Sequence, residues 1–451
     1  MHIAHKTTLL AIALGATFLP IADSHAGTAA KAISEQRSVA AFSAIELSGP
    51  YEVAIDTQGR AGLSLRGERQ QLDEIETFVR GDTLVVRPKP GTTFRFGFGF
   101  GQRRETVVIH IGAPTLDSLS LSGSGDTTLG QVSAERFALN VDGPGDLEVS
   151  GTVRDLALRV SGSGDARLER LRASNVALTL SGPGDVRLAN IDGALQATIS
   201  GSGDLEADGL RLSRLEARLS GPGDMVLRGT SGAVRAEVSG SGSFDACDLA
   251  AGRASTVQSG PGDVCLGGAI SQLDAEVGGS GNLTALGLRA TAATLRLHGP
   301  GDVRLAGTVA VLKAEISGSG DLDGAGLAVG KATLKARGPG DVALSQVSDT
   351  LEAELRGSGS LTSAIDGKRL LLTSEGPGGA RISGRVDMVH ARLNGSGALD
   401  GNRLTAGRAD IAVSGSGSAK VHVLQRAGRE GAAASESARL LVVQRKGSST
   451  M

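Results

Sequence analysis

The sequence predicts an all-β protein, a β-helix or β-solenoid built on a Gly-Ser/Pro-Gly-Asp turn that returns every 19–20 residues. Three observations predict this fold. A five-letter motif repeats along the chain, apolar residues alternate on both sides of each copy, and aromatic residues make up only 2% of the 451 residues, with no Trp. Internal repeats of this length are the signature of solenoids. Narrow coils also have little internal room for large rings, which accounts for the scarcity of aromatic residues.

The motif first appears as SGSGD at 122–126 and occurs sixteen times. Successive copies are separated by steps of 20 and 19 residues for most of the run, and the middle residue alternates between Ser and Pro. The first glycines of the copies are Gly123, Gly143, Gly162, Gly182, Gly201, Gly221, Gly240, Gly260, Gly279, Gly299, Gly318, Gly338, Gly357, Gly376, Gly395 and Gly415.

Each motif is flanked by two predicted strands. Before Gly182, for example, Leu178 and Leu180 are apolar and each is followed by a polar residue, and Val186 is apolar after the turn. A period of two is typical of a strand with one buried face. The motif is therefore a turn, in which we expect the glycines to supply φ > 0 and the Asp to accept hydrogen bonds from nearby backbone amides.

The repeat is compatible with two ways of winding the chain. With one motif per coil, sixteen coils would form a rod about 77 Å long, whereas two motifs per coil would halve this to about 38 Å, given the spacing between strands. The regular Ser/Pro alternation favours the wide coil, because like residues would then stack on each other. A coil of about twenty residues is an ordinary size for a solenoid, and we favour one motif per coil.

The chain divides into four predicted parts. Residues 1–26 read as a signal peptide, with Lys6, an apolar run and the small-x-small site at 24–26. Residues 34–121 are assigned to the N-terminal part and cap, 122–424 to the repetitive body, and 425–451 to a C-terminal tail or closing strand. No apolar run of membrane-spanning length follows the signal, and a net charge of −2 gives no reason to expect nucleic acid as a partner. We therefore expect an exported protein of the periplasm or outer surface.

Several segments resemble a known family. They are FSAIELSGPYEVAI at 42–55, LDEI at 72–75, GDTLVV at 81–86 and APTLDSLSLSGSGD at 113–126, followed by the later GSGD copies. Together they resemble the auto-transporter adhesin head domain, the GIN domain family, a domain of unknown function. The resemblance runs from about residue 40 to about 424. It implies a β-helix displayed outside the cytoplasm, suggests adhesion, and supplies no catalytic residue.

The aspartates of the motif are a candidate calcium site, because glycine-rich Asp repeats bind calcium in other β-helices. Stacked carboxylates would lie about 4.8 Å apart and repel each other by about 1 kcal/mol per pair in water. Calcium, the Arg two residues further on (Arg167, Arg187 and Arg304), or backbone amides would relieve that repulsion. The calcium candidates are Asp126, Asp146, Asp165, Asp185, Asp204 and Asp224.

The segment TTFRFGFGFGQRR at 92–104 holds four of the nine phenylalanines in the chain. The period-two spacing of its aromatic residues places them on one face. We expect them to plug the open end of the coil stack. The alternative is a contact loop for a partner or membrane surface, assisted by the basic residues of the segment. The residues concerned are Phe94, Phe96, Phe98, Phe100, Arg95, Arg103 and Arg104.

Cys247 and Cys265 are the only cysteines. Their places relative to the neighbouring motifs differ by two, which puts them about 8 Å apart in stacked coils. This is slightly too far for an unstrained bridge, so two unpaired thiols are expected and a disulfide is the alternative.

These observations predict a non-enzymatic, exported β-helix protein that serves as a cell-envelope or surface scaffold, an adhesin-like binding module. No catalytic residues or cofactor are predicted; the expected partner is an envelope protein or a glycan, and the sequence leaves the oligomeric state open. The alternatives are a calcium-binding solenoid and a carbohydrate-active β-helix enzyme. The enzyme is disfavoured because the run lacks long inserted loops and its histidines, among them His110, His298, His390 and His422, are scattered.

Overall fold

A computed structural model describes residues 32–91, 106–425 and 437–444. It confirms the predicted fold class, a nearly all-β chain wound into a β-solenoid of about 15 turns. At about 4.8 Å per turn the stack is about 72 Å long.

The N-terminal elements are β1 (Ile33–Arg37), β2 (Ala44–Leu47), β3 (Glu52–Asp56), β4 (Gly62–Gly67), α1 (Arg69–Asp73), β5 (Ile75–Arg80), β6 (Thr83–Pro88), β7 (Val108–Gly112) and β8 (Ser118–Leu121). The body comprises β9 (Thr127–Val141), β10 (Leu147–Val160), β11 (Ala166–Leu180), β12 (Val186–Ala189), β13 (Ile191–Ile199), β14 (Leu205–Leu212), β15 (Arg214–Leu219), β16 (Met225–Val238), β17 (Phe244–Gln258), β18 (Val264–Gly267), β19 (Gln272–Val277), β20 (Leu283–Leu297), β21 (Val303–Ile316), β22 (Leu322–Ala336), β23 (Val342–Leu355), β24 (Leu361–Ser374), β25 (Ala380–Leu393) and β26 (Leu399–Val413). Two strands end the described chain, β27 (Ser418–Gln425) and β28 (Ser437–Gln444).

Strand register shows that each coil contains one motif. Leu147 of β10 pairs in parallel with Thr127 of β9, twenty residues earlier, and with Ala166 of β11, nineteen residues later. The prediction of one motif per coil is confirmed, and the 39-residue coil is wrong. Ser and Pro therefore alternate up a single column, and two successive coils make one sequence repeat.

The core is aliphatic and the coil has three sides. In β11 the buried side chains are Ala166 and Leu168, then Leu171 and Ala173, and then the triplet Val176, Leu178 and Leu180. The alternation shifts phase between these groups, because the chain bends twice within the strand. The motif turns the third corner, so every coil encloses a narrow prism of Leu, Val and Ala side chains.

In the sixteen coils that carry the counted motifs, positive φ angles occur at the bend after the motif rather than at the motif itself. Gln131 and Asn190 have φ of 58°, Gly209 has 64° and Gly151 has 136°. None of the 32 motif glycines is among the described residues with a positive φ. The prediction that those glycines supply φ > 0 is therefore wrong, and their role comes from contacts between coils, described below.

The first coil of the sequence is not the first coil of the stack. Strand β2 lies between β6 and β8, with Leu47 paired to both Val86 and Leu121. Strand β3 likewise lies between β7 and β9. The Ser48-Gly49-Pro50 turn therefore occupies the motif corner, and the Ser124 amide donates to the Gly49 carbonyl at 3.2 Å. This additional, degenerate copy was not counted in the sequence analysis.

Antiparallel strands cover the N-terminal end of the stack. Strand β5 pairs with β6, and β4 pairs with both β7 and β1. Leu65 and Leu72 are fully buried beneath this layer. At the other end β28 pairs antiparallel with β27. The two ends of the solenoid are thus closed by chain reversal, but to different extents.

Candidate binding surface

The motif corners stack directly on one another through the full length of the body. A Cβ added at Gly201 would overlap the carbonyl oxygen of Gly182, the equivalent glycine of the preceding coil, and would lie 2.5 Å from Ser181 backbone atoms. The second glycine of the copy, Gly203, meets the Gly184 carbonyl in the same way. Both motif glycines are therefore required because backbone from the preceding coil occupies the space of a side chain.

The aspartates form a ladder of hydrogen bonds that links each coil to the next. Asp204 Oδ1 accepts from the backbone amide of Asp224 at 2.8 Å, and Asp185 Oδ1 accepts from that of Asp204 at 2.9 Å. Where Asn282 replaces Asp, its Oδ1 accepts from the Asp302 amide at 3.0 Å. The predicted role of the Asp as an acceptor for backbone amides is confirmed, with the amide contributed by the next coil.

Arginine contacts the Asp column at only one of the three predicted places. Arg167 Nη2 lies 3.1 Å from Asp146 Oδ2 and 3.4 Å from Asp165 Oδ2. Arg187 instead pairs with Glu206 and Arg304 with Asp323, the residue directly in register in the next coil. The acceptor bonds to amides, repeated in every Asp-bearing coil, are thus the general means by which the column tolerates stacked carboxylates.

The calcium candidates do not converge. In the described ranges only one set of three potential ligand groups lies close together, and it comprises Asp245, Cys247 and Cys265, away from the Asp column. Asp126, Asp146, Asp165, Asp185, Asp204 and Asp224 are distributed over six coils, one per coil, and each uses Oδ1 for the next coil. This geometry gives no support to a calcium site in the column.

Cys247 and Cys265 are joined by a disulfide, with their Cα atoms 5.2 Å apart. The expectation of unpaired thiols is wrong. Cys265 pairs with Asp245, two residues before Cys247, and the pairing between β17 and β18 shifts after Ala246. The Cys247 amide turns back to donate to Asp245 Oδ1 at 3.0 Å. This local bend brings the Cα atoms of Cys247 and Cys265 closer together than two ideal stacked strands would. The distance predicted from ideal strand spacing was therefore too long.

A groove of about 750 Å³ crosses one face of the solenoid near its N-terminal end. It spans five coils, from β9 to β15, or about 19 Å from the strand spacing. The outward residues Ala138, Ala157 and Ala177 are aligned in register and form its floor. In the next two coils the larger side chains of Gln196 and Glu216 occupy this column, so the groove becomes shallower toward the C-terminal coils.

Charged and amide side chains border the groove along the neighbouring column. Asn175 Nδ2 donates to Asp155 Oδ1 at 2.8 Å, and Arg154 Nε donates to Asp155 Oδ2 at 3.3 Å. The Asn175 hydrogen bond, and then the bonds and charges of Arg154 and Arg136, hold the pKa of Asp155 below its ordinary value. At the far end Arg214 lies 3.4 Å from Glu216. The groove thus offers donors and acceptors of both charges over an apolar floor.

This groove was not predicted from the sequence. The sequence pattern that marks it is an alanine at the same outward position in three successive coils, followed by larger polar residues at that position in the next two coils. That signal becomes visible only after the register is known, because the alanines are separated by 19 and 20 residues.

The histidines remain apart. His298 Nδ1 lies 2.8 Å from Ser317 Oγ, and His390 Nδ1 lies 2.9 Å from Asp410. His110 is in β7 and His422 in β27, at opposite ends of the stack. Within the described part of the chain, no two of these four histidines share a site.

The aromatic segment lies outside the described residues, so the roles predicted for Phe94, Phe96, Phe98, Phe100, Arg95, Arg103 and Arg104 stay predictions. Its described flanks are informative. Strand β6 ends at Pro88 and β7 begins at Val108, and these strands stack on β2 and β3.

The family model described as "Putative auto-transporter adhesin, head GIN domain" matches four times, over residues 41–209, 190–288, 271–364 and 346–436. No curated protein matches the chain.

Solved structures similar to the chain include a putative adhesin from Bacteroides fragilis, with 16% identity, a TM-score of 0.24, and coverage of 65% of this chain and 96% of that one. A putative adhesin from Parabacteroides distasonis has 14% identity, a TM-score of 0.35, and coverage of 65% and 96%. A putative lipid binding protein from the same species has 17% identity, a TM-score of 0.28, and coverage of 65% and 93%. Because the family model matches most of the chain, this protein belongs to the auto-transporter adhesin head GIN domain family.

Proposed function

We propose that this protein is a non-enzymatic, exported scaffold of the cell envelope or surface, and that it binds an extended glycan in the groove over Ala138, Ala157 and Ala177. The observation that carries the proposal is the composition of the groove. A shallow apolar floor suits the C–H faces of sugar rings, and the mixed donors and acceptors beside it suit their hydroxyl groups.

The groove is built on a rigid support. Its floor and borders belong to parallel strands that are hydrogen-bonded on both sides, from β9 through β15. Asp155 is held by Asn175 and Arg154 before any ligand arrives. A site on such elements loses little conformational freedom on binding, which favours affinity for a weakly interacting polyol.

Export rests on the predicted signal peptide at 1–26 and on membership of an adhesin family. The described residues include no helix of sufficient length and hydrophobicity to cross a bilayer. The extracytoplasmic location is consistent with the disulfide between Cys247 and Cys265, because such bonds persist in oxidising compartments.

Glycan-array binding by the mature chain, followed by titration of the best ligand, tests the proposal. Ala157→Tyr fills the floor of the groove and should weaken binding at least tenfold. Ala250→Tyr places the same ring at another exposed outward alanine and should leave the affinity unchanged. Equal affinities for both variants would place the ligand elsewhere. If no glycan on the array binds and the chain instead captures an envelope protein, the partner is a protein and the glycan proposal is wrong.

A further inference from the structure

The C-terminal end of the solenoid carries an unusual strand. Strand β28 pairs with β27 over eight residues, from Ser437 opposite Gln425 to Gln444 opposite Ser418. Its other edge pairs with no strand of the described chain. A free edge presents unpaired amides and carbonyls that are able to continue the sheet.

The apolar side chains of β28 are exposed. Leu440, Leu441 and Val442 have 43%, 37% and 48% of their surface accessible, and they form half of the exposed large hydrophobic residues in the described chain. The other three, Val257, Leu286 and Met388, are isolated on separate coils. Scattered apolar residues are normal on a surface, whereas a contiguous group on a free edge marks an interaction site.

Within the described residues, the core is also incompletely covered at this end. Residues 408–413 of β26 pair with β25 but with no later strand in the described chain. Their inward side chains Ile411 and Val413 are only partly buried, whereas the equivalent positions of earlier coils are fully covered. The N-terminal end differs, because β1, β4 and β5 cover it with buried leucines.

We infer that β28 is a self-association surface, on which a second copy of this chain adds its own β28 in antiparallel orientation. Two-fold pairing that sets Leu441 opposite Leu441 of the partner subunit also sets Leu440 opposite Val442 of the partner subunit and Arg439 opposite Val443 of the partner subunit. No like charges face each other, and the strand contains no Pro or Gly to block its edge.

This geometry forms a closed dimer. The same two-fold axis brings the partly open cores at Ile411 and Val413 toward each other, end to end. The single free edge of β28 is occupied by the partner's β28 in this arrangement, so pairing through this strand stops at two copies instead of continuing into fibres. The dimer would be a rod about twice the 72 Å length of one stack, or about 140 Å.

Light scattering after gel filtration and small-angle scattering of the full-length mature chain test the inference. We expect twice the mass of one chain at micromolar concentrations, with a longest dimension near twice that of the monomer. Leu440→Lys/Val442→Lys changes only the outward face of β28 and should give a monomer with an unchanged melting temperature. Val257→Lys, at an exposed apolar site on the body, should remain dimeric.

A monomeric wild-type chain, a dimer that survives the double substitution, or larger open assemblies would each overturn the inference. Hydrogen exchange gives an independent readout if the double variant does not fold. In the wild-type chain the amides of residues 437–444 should gain protection as the concentration rises. Protection that is equally high at all concentrations would show that another segment of the same chain covers the edge, and would likewise overturn the inference. The glycan affinity is measured separately, so failure here leaves the proposed function intact.

Discussion

Two bends of the same coil use glycine for opposite reasons. At the motif corner Gly201 has no positive φ, but a side chain there would overlap the backbone of the preceding coil. At the following bend Gly209 has φ of 64°, and the nearest atom to an added Cβ is Asn190 Oδ1 at 3.5 Å. The first glycine is needed for space and the second for backbone conformation.

This difference explains which part of the repeat is strict. Space at the motif corner is set by a neighbouring backbone that is itself a glycine, so every coil imposes the same requirement on the next. The other bend is less uniform: Gln131, Asn190 and Gly209 are left-handed, whereas at the same position of other coils Gly151, Gly229 and Gly307 also meet backbone of the preceding coil. Contact between coils, rather than the turn itself, therefore preserves the motif.

The largest predicted effect is at the motif corner. Gly182→Val should destabilise the protein by more than about 4 kcal/mol, because the new side chain would overlap the Gly162 carbonyl and Ser161 backbone, which cannot move without breaking the stack. Chemical denaturation and the yield of soluble protein measure this. A loss below about 1 kcal/mol would show that the stack opens easily at the corner.

The disulfide is located near the irregular bend, where the pairing of β17 with β18 shifts. Cys247→Ser/Cys265→Ser should lower stability by about 3 kcal/mol, the value that chain entropy gives for a loop of this size. Thermal unfolding of the double variant and of the reduced wild-type chain measures the loss. If the two differ greatly, the serines rather than the missing bond cause the effect.

The hydrogen bonds of the Asp ladder should contribute less to stability than the motif glycines do. Asp204→Ala removes the acceptor of the Asp224 amide and should cost about 1 kcal/mol. Asp204→Asn keeps an Oδ1 acceptor, as Asn282 does, and should stay within about 0.5 kcal/mol of wild type, the usual range for surface substitutions. Urea midpoints compare the two variants, and adding calcium or EDTA should move neither. A calcium-dependent rise in stability would show that the Asp column binds calcium and would contradict this account.

The Ser/Pro position should be the most tolerant. Corner bonds use the glycine amides, with Gly203 donating to the Gly182 carbonyl at 3.1 Å, whereas the Ser202 amide has no backbone acceptor among the described residues. Ser202→Pro should therefore change stability by less than about 1 kcal/mol. Arg218→Pro, within a strand paired on both sides, should cost about 3 kcal/mol or more. Similar melting temperatures for the two variants would contradict this account.

Periodicity predicted the features that depend on each residue's own strand or turn. The alternation of Leu178 and Leu180 located strands correctly, and the motif spacing located the corners. It did not predict the position of β2 between β6 and β8. The alternation of buried and exposed residues identifies a strand but does not show which of several similar strands it pairs with. The bridge between Cys247 and Cys265 and the alanine groove likewise depend on register and local bends.

The most direct test of the central claim compares alanine at two glycines of one coil. Gly201→Ala should destabilise the protein by more than about 4 kcal/mol, because the methyl group meets backbone of the preceding coil. Gly209→Ala should cost only about 1–2 kcal/mol of left-handed strain, and Gly209→Asn less. The free energies of unfolding of these variants, from denaturant titration under identical conditions, decide the matter. Equal losses at the two sites, or a larger loss at Gly209, would contradict the claim that contact between coils maintains the motif.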